Sequence, residues 1–407
     1  MKNNYFAKLV KYVKNVYNIE KGLNKLEDRR LNPTYGTAQV ITPVLLGFLL
    51  RVRSFNSLSL IMKENEFANV LPRGTNLPGI DTVRDTLKVI KTDGLREILR
   101  HNFKKAINNK VFAGGTIDGY IVGAIDGTKF FGSNKKNCGK CLTTTTTKSG
   151  KTHSYHSGAV MSTIGDGPKL VIDFEMYKPG VDAVSKDEGE LSVAKRLLER
   201  ALTNHANLLD IVVYDALACN AGWFNSCIQH GVEAVVRVKK NNNNSITRVK
   251  STANKMEPRE VWIDEKGFEE VKVYDCLFTM ENVDRPLRFV KFAMKFPDGT
   301  RSQIMIATTC LDMDLRTLFR IIRARWDIEN SIFNNMKKEC YLDYCFVHGG
   351  NAVEAVICLI FIAGNLLQLF YHRRIRKHVA TQYELVRLLL KGLYLLKRKP
   401  EMVFGTG

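Results

Sequence analysis

Residues 120–132, YIVGAIDGTKFFG, are the stretch that decides the fold. Apolar and β-branched residues precede Asp126 and Gly127 follows it, which predicts a strand whose end carries the aspartate. Two more strand-like runs come next, SGAVMSTIG at 157–165 and KLVIDFEMY at 169–177. The region therefore begins with three strands, and a long polar loop separates the first from the second.

The segment after the third strand alternates helices with strands. An apolar stripe at helical spacing is formed by Leu191, Ala194, Leu198 and Ala201. Ser185 and Glu188 have the spacing of a capping box before that helix. The continuous apolar run LLDIVVYDAL at 208–217 predicts a strand buried on both faces. A helix-like NAGWFNSCI at 220–228 and a strand-like AVVRVKK at 234–240 follow.

The order strand, strand, strand, helix, strand, helix, strand predicts an α/β fold of the ribonuclease-H-like kind. In that fold an antiparallel hairpin unit precedes parallel strands that are connected by helices. Many α/β domains begin in a similar way, so the order of elements alone leaves other α/β folds open.

Charge is the unusual feature of the composition. The 407 residues include 61 Lys and Arg against 41 Asp and Glu, a net charge of +20. Such an excess indicates a polyanionic partner, with nucleic acid first, and the alternative is charge that only keeps the protein soluble.

The nine cysteines, with no visible secretory signal, predict a reducing, cytoplasmic setting. Residues 355–370 are too short and too polar for a membrane span, which predicts a buried core helix and no membrane partner.

We predict five segments along the chain. Residues 1–113 are helical and basic and suit a DNA-binding domain, although a packing domain with a solvated basic face fits equally well. Residues 116–240 form the first part of the ribonuclease-H-like core, and 241–311 form an all-β insertion without a convincing helix. Residues 312–371 return to helix as the second part of the core, and 372–407 form a basic C-terminal tail.

Three carboxylates stand at positions suited to chemistry. Asp126 and Asp215 each end a predicted strand, and in an open α/β sheet active groups gather at such ends. Glu329 lies on a helix within RWDIENSIFNN at 325–335. Two Asp and a Glu brought together would suit two Mg²⁺ ions, with Mn²⁺ as an alternative, for in-line displacement at a phosphodiester.

The helix of Glu329 has an apparent contradiction in its pattern. At 100° per residue Glu329 falls in the middle of an apolar stripe formed by Ile322, Trp326, Phe333 and Met336. Asp327 points to the opposite side. A charged carboxylate on a buried face is costly unless it is paired or binds a metal, and Arg325 at i−4 is the alternative partner.

The other acids have simpler explanations. Asp126 can be a turn residue, and Asp215 can cap the helix that follows it. Weaker candidates for chemistry are Asp173, Glu175, Glu188 and Glu190.

Three blocks of this sequence resemble the acidic motifs of DDE transposases from bacterial insertion sequences. They are AIDGTKF at 124–130, VVYDALACNAGWFNSCIQHGVEAVVRVK at 212–239 and RWDIENSIFNNMKKECYLDYCFVH at 325–348. The branch named for insertion sequence four, with its β-strand insertion before the Glu, is the most similar, and DEGELSVAKRLLERAL at 187–202 resembles a further block of it. The resemblance covers about residues 116–371 and implies that Asp126, Asp215 and Glu329 are the metal ligands.

The sequence departs from that branch at two positions of its Tyr-x2-Arg-x3-Glu-x6-Lys signature. Arg325 and Glu329 fit, but Ile322 takes the place of the Tyr and Met336 that of the Lys. Lys337 is one residue late, about 100° round a helix. The resemblance implies that Arg325 contacts DNA, and Lys337 is the nearest substitute for the missing lysine.

A second group of residues has metal-ligand chemistry. Cys138 and Cys141 precede His153 and His156, and two thiolates with two imidazoles suit a structural Zn²⁺. The alternative is free thiols on a loop and a packed histidine.

The resemblance implies an enzyme that cuts and joins DNA. We expect a cytoplasmic, nucleoid-associated bacterial transposase that cleaves transposon ends and joins the 3′-OH to target DNA, with cut-and-paste movement. Its partners would be double-stranded DNA, both terminal inverted repeats and target, and a second copy in a dimeric synaptic complex. A non-catalytic repressor derived from a transposase, or a metal-dependent nuclease without strand transfer, are the alternative functions.

Overall fold

The computed structural model describes residues 4–64, 66–145, 150–180, 187–203, 208–239, 244–264 and 268–405. Within these ranges ten strands form one mixed sheet. They are β1 (Val122–Ser133), β2 (Leu142–Thr145), β3 (Thr152–Thr163), β4 (Val171–Met176), β5 (Ile211–Tyr214), β6 (Glu233–Val238), β7 (Glu260–Asp264), β8 (Phe268–Phe278), β9 (Leu287–Lys295) and β10 (Arg301–Thr308). Ser185, the predicted capping residue, lies outside the described residues.

The part of the sheet from β4 to β6 has the predicted topology. Strand β3 pairs antiparallel with both β1 and β4, while β1 pairs parallel with β5 and β5 pairs parallel with β6. The order β4-β3-β1-β5-β6 is therefore the hairpin unit followed by parallel strands, as in a ribonuclease-H-like fold. Strand β2, which no sequence pattern indicated, pairs with the first residues of β3.

The inserted strands extend this sheet. Strand β10 pairs antiparallel with β6, and β9, β8 and β7 follow in order. The prediction of an all-β insertion was wrong at its start, where a helix spans Asn244–Ala253. Ile246, Val249 and Ala253 are buried at helical spacing, but three apolar residues among ten gave too weak a periodic signal to outweigh the polar surroundings.

Thirteen α-helices lie in the described residues. Six precede the sheet: α1 (Tyr5–Asn15), α2 (Ile19–Leu23), α3 (Thr37–Leu49), α4 (Phe55–Met62), α5 (Ile80–Val89) and α6 (Thr92–Asn108). Three lie between the strands: α7 (Glu190–Thr203), α8 (Ala221–Gln229) and α9 (Asn244–Ala253). Four follow the last strand: α10 (Leu315–Ala324), α11 (Asn334–Cys340), α12 (Ala352–Phe370) and α13 (Gln382–Tyr394).

Helix α12 is the central helix of the core. With the turn after it, this helix is long and apolar enough to cross a membrane, but 89% of its most apolar window is buried inside the protein. The helix packs against α3, α5, α6 and β4. Its buried Asn365 accepts a hydrogen bond from the Val171 N–H at 2.9 Å and donates one to the Val171 carbonyl at 2.6 Å. The amide thus satisfies the backbone of β4, which explains a polar residue in this run.

The C-terminal segment returns to the N-terminal helices. After a π-helical turn at Tyr371–Ile375, helix α13 packs against α1. Asn4 also donates a hydrogen bond to the Gly392 carbonyl at 2.7 Å. The basic residues after 371, predicted as a tail, therefore belong in part to a folded helix that packs on the first one.

A buried ion network joins the N-terminal helices to the sheet. Asp173 on β4 is fully buried, and its carboxylate lies 3.4 Å from Arg96, 3.2 Å from Arg100 and 3.0 Å from Arg200. Arg96 also pairs with Glu354 of α12 at 2.8 Å. One acid therefore holds helices α6 and α7 against β4, which explains its position on a strand without any catalytic role.

We expect the Asp173→Asn variant to lose about 3–5 kcal/mol of unfolding free energy, because three guanidinium groups lose their buried anion. Urea denaturation followed by circular dichroism measures this loss. The matched control is Asp81→Asn, since Asp81 pairs with Arg84 on the surface of α5 and should change stability by about 0.5 kcal/mol or less. Equal stability of the two variants would contradict the structural role of Asp173.

Candidate active site

Asp126 and Asp215 lie at neighbouring positions of two parallel strands. The register pairs Ala124 of β1 with Val213 of β5, and each aspartate comes two residues later along the chain. Asp215 directly follows β5 and caps a short turn, where its carboxylate accepts a hydrogen bond from the Leu217 N–H at 2.9 Å. The prediction that Asp126 ends its strand was wrong, because Gly127 still pairs with Ala159 of β3 and β1 continues to Ser133. Asp215 follows β5 as predicted, and the two aspartates are neighbours on the sheet.

The surroundings of Asp126 disfavour its charged form. Burial raises the pKa of Asp126 to about 6; the nearby Arg325 lowers it, and the negative charges of Glu190 and Asp215 raise it further. The Arg325 guanidinium lies 3.8 Å from the Asp126 carboxylate. A bound cation would reduce the repulsion between the carboxylates of Asp126, Glu190 and Asp215. Carboxylates are also the ligands that Mg²⁺ and Mn²⁺ prefer.

A third acid, Glu190, lies beside Asp126 and Asp215. The sequence had indicated Glu190 only as a weaker candidate for chemistry. The residue begins α7 and accepts a hydrogen bond from the Tyr214 hydroxyl at 3.0 Å. A Cβ at Gly127 would lie 2.7 Å from the Tyr177 hydroxyl and 3.0 Å from Glu190 Oε2, so a larger residue there would have to displace these side-chain ends. Burial, with the Glu190 charge next, raises the pKa of both tyrosines. In the sequence, Glu190 could have been identified from residues 187–202, which resemble a block of the transposase branch.

Glu329 is exposed, so the predicted place of Glu329 on a buried face was wrong. Residues Ile328–Phe333 form a π-helical turn, in which the Asn334 N–H donates to the Glu329 carbonyl five residues earlier. The wider turn changes the phase of the helix. Ile322, Phe333 and Met336 stay buried, as predicted, whereas Trp326 and Glu329 leave the stripe.

Asp327 takes the inward contacts instead. Its carboxylate accepts a hydrogen bond from the Gly165 N–H at 2.9 Å and pairs with Lys169 at 2.9 Å. The π-helical turn packs on β1, the strand of Asp126. Glu329 has no ion-pair partner among the described residues, so the proposed pair with Arg325 does not form.

Arg325 is buried beside Asp126 rather than displayed on the surface. Its side chain is 7% exposed, and its guanidinium stacks 4.5 Å from the centre of the Trp326 ring. The residue directly connects the helix of Glu329 to the strand of Asp126. A positive charge here partly offsets the repulsion among the acids.

The departures from the family signature have a packing reason. Ile322 and Met336 are both buried, at 3% and 6% exposure. The Met336 methyl lies 2.6 Å from the point where a Cβ on Gly364 of α12 would be, so this position packs on the core helix. Lys337, the next residue, is half-buried.

Three of the four predicted zinc ligands lie together, and a different histidine takes the fourth place. Cys138, Cys141 and His156 lie together with His348, all four ligand atoms within 4.8 Å of one another. His153 lies elsewhere, with Nδ1 2.7 Å from the Asn134 side chain. The prediction of His153 as a ligand needs this correction because two residues three apart on a strand point to opposite faces. Among the described residues, no such tight group includes Asp126, Asp215 or Glu329.

This chain matches a solved structure and a family profile. The solved structure is the "Cryo-EM structure of piggyBac transposase synaptic complex with hairpin DNA", with a TM-score of 0.45 and 14% identity. The alignment covers 99% of this chain and 81% of that one. No curated protein sequence matches. The profile of the family described as "Transposase DDE domain" matches residues 118–366, from the start of the sheet into α12. Because that match spans more than half of the chain, this protein belongs to the DDE transposase domain family.

Proposed function

We propose that this protein is a DNA transposase of the branch named for insertion sequence four, which cleaves transposon ends and joins the 3′-OH to target DNA. The observation that carries the proposal is the pair Asp126 and Asp215, adjacent on parallel strands within the family match. Glu329 follows on a helical turn that packs on the same strand β1. The order of the three acids along the chain is that of the branch.

Asp126, Asp215 and Glu329 would hold two divalent ions, Mg²⁺ or Mn²⁺. Bound there, such ions supply Lewis-acid stabilisation of both oxygens in a phosphodiester displacement. Glu329 is exposed and without a basic partner among the described residues, so its carboxylate is available as a ligand. Asp126 is held in place by its hydrogen bond from the Gly127 N–H at 2.9 Å and by Arg325.

Glu190 would support the two aspartates from the side of α7. Its carboxylate takes a hydrogen bond from Tyr214, the residue directly before Asp215, and lies against Gly127, the residue directly after Asp126. One side chain thus contacts the neighbours of both acids.

The basic N-terminal helices would bind the DNA backbone. Exposed Lys8 and Lys11 of α1 line a cleft of about 660 Å³ together with Arg374 and His378 from the segment after α12. Tyr12 lies in the wall of the cleft, beneath the Arg374 guanidinium at 5.5 Å. Cations around an aromatic wall suit phosphates and sugars, and the net charge of +20 favours the same partner.

Other parts of the proposal follow from the branch. Joining two transposon ends requires two protomers in a synaptic complex, so we propose a homodimer on DNA. Lys337, half-exposed beside the π-helical turn, would contact the backbone near the cleavage point. Arg325 would reach DNA only at the rim of the acidic site, since it is buried there. The setting is the cytoplasm of a bacterial cell.

We expect Asp126→Asn, Asp215→Asn and Glu329→Gln each to reduce Mg²⁺-dependent cleavage of end-bearing DNA by about 10³-fold or more, since the ions contribute several kcal/mol. DNA binding, measured by fluorescence anisotropy, should remain, because removing an acid does not weaken attraction to phosphates. The matched control is Asp327→Asn, two residues from Glu329 but paired with Lys169, which should retain cleavage. Full activity of the Asp126 variant would refute the site.

Strand transfer separates a transposase from the other functions. With pre-cut ends and a target plasmid, the protein should join the ends covalently, and sequencing of the products should show the junctions. Cleavage without joining would mean a nuclease. Binding without either reaction would mean a repressor.

Replacing Gly127 with Ala tests the role of Glu190. The new Cβ meets the Tyr177 hydroxyl and Glu190 Oε2, and a displacement of about 1 Å can lower a rate about 100-fold. We expect that loss in the cleavage assay, with the unfolding midpoint nearly unchanged. Gly114→Ala, where a Cβ meets nothing within 4 Å, should be fully active. Normal cleavage by the Gly127 variant would show that Glu190 has no part in the reaction.

The double variant Lys8→Gln/Lys11→Gln tests the basic cleft. Each phosphate contact contributes about 0.9 to the slope of log K against log salt, so we expect the slope to become shallower by about 1.8. Fluorescence anisotropy across a salt series gives this slope. The control is Lys255→Gln, an exposed lysine two residues after α9, which should leave the slope unchanged. An unaltered slope in the double variant would place the DNA elsewhere.

A further inference from the structure

Four soft ligand groups converge at the edge of the sheet away from the acids. Cys138 and Cys141 lie in the loop between β1 and β2, His156 lies on β3, and His348 precedes α12. Cys141 and His156 are buried, at 6% and 3% exposure. Along β3, His156 is four residues from Val160, the partner of Asp126. That separation is about 13 Å of strand, so the two groups are distinct.

The spacing of the ligand atoms matches a tetrahedral metal site. Zn–S bonds of about 2.3 Å and Zn–N bonds of about 2.0 Å at tetrahedral angles place sulfurs about 3.8 Å apart and sulfur about 3.5 Å from nitrogen. The two Sγ atoms are 3.6 Å apart. His156 Nε2 lies 3.6 Å from Cys138 Sγ and 3.3 Å from Cys141 Sγ, and His348 Nε2 lies 3.4 Å from Cys141 Sγ. Both histidines present the same nitrogen to the same centre.

A disulfide does not explain the cluster. Both cysteines are free thiols, and their separation is far greater than the S–S bond of about 2.05 Å.

We propose that Cys138, Cys141, His156 and His348 bind one Zn²⁺ ion that fastens the β1–β2 loop and β3 to the segment preceding α12. Two thiolates and two imidazoles in a closed tetrahedral set are typical of structural zinc. The pair Cys138 and Cys141 has the x₂ spacing of a zinc knuckle, and His348 is contributed from 207 residues beyond Cys141. Binding releases the two thiol protons to solvent as the thiolates form.

The site would act as a cross-link over a long stretch of chain. A link between distant residues removes more conformational freedom from the unfolded chain than a local one. The segment that His348 anchors also contacts the N-terminal helices, because the Asn351 N–H donates to the Lys88 carbonyl at 2.9 Å and its side chain donates to the Ile90 carbonyl at 2.8 Å. Zinc therefore would hold together the loop after β1, strand β3 and the junction with α5.

The test measures metal content and needs no DNA reaction. The full-length protein, produced without a histidine tag and dialysed against metal-free buffer, should carry one zinc per chain by plasma mass spectrometry. His348→Ala should lower this to a small fraction, whereas the matched control His153→Ala should keep one zinc, since His153 points to the other face. Cys345→Ser should also keep one zinc, because Cys345 is a neighbouring thiol outside the group.

A second measurement does not depend on any variant being folded. Apo protein prepared with a chelator and titrated with Co²⁺ should develop the intense visible bands of tetrahedral cobalt and the near-ultraviolet charge-transfer band of thiolate ligands, saturating at one equivalent. Hydrogen exchange in residues 341–351 should be faster in the apo form. Absence of zinc from the purified protein together with octahedral, weakly coloured cobalt would overturn the proposal. Full zinc in His348→Ala would overturn the assignment of His348.

Discussion

The buried carboxylate of Asp173 is the interaction on which the assembly of this protein depends. Helix α6 contributes Arg96 and Arg100, and α7 contributes Arg200, all to one acid in the middle of β4. An uncompensated charge at this depth is costly, so the arginines of both helices stay against the acid. On the same strand, Asn365 of α12 bonds both backbone groups of Val171. Strand β4 is thus fixed by two polar contacts, and it in turn fixes β3 and β1.

The acids of this protein divide into two groups by their partners. Asp173 and Glu175 are surrounded by arginines, and Asp275 in the inserted strands is bound by Arg288 at 2.8 Å. Asp126, in contrast, has one arginine at 3.8 Å, and the negative charges of Glu190 and Asp215 raise its pKa. Repulsion among acids lowers stability unless a cation compensates for it. Among these acids, Asp126 is therefore the one whose neighbours are mainly other acids. A divalent ion would stabilise that arrangement.

Much of the fold could be predicted because its signals are local. Continuous apolar runs identified β1 and β5, and the turn after the second run identified the end that carries Asp215. The glycine after Asp126 wrongly predicted a strand end, because pairing with β3 carries β1 on to Ser133. Helix α9 was missed because three apolar residues among ten give little periodicity. His348 could not be predicted at all, since strand geometry excludes His153 and the replacement comes from 207 residues away. The contact of Glu190 with the space above Gly127 could not be predicted, because only the packed structure defines that space.

The π-helical turn resolves the contradiction in the helix of Glu329. Helix α10 must end with Arg325 against Asp126, and α11 must place Met336 against Gly364 of the core helix. A straight α-helix that met both requirements would also bury Trp326 and Glu329 in the same stripe. The wider turn at Ile328–Phe333 is compatible with both contacts and leaves Glu329 exposed, while Asp327 just before it pairs with Lys169. The irregular turn leaves the Glu329 carboxylate exposed and without an ion-pair partner among the described residues, on a segment that packs on β1. Helix periodicity therefore fails to predict this turn, because Arg325 and Met336 pack inward while Glu329, between them, is exposed.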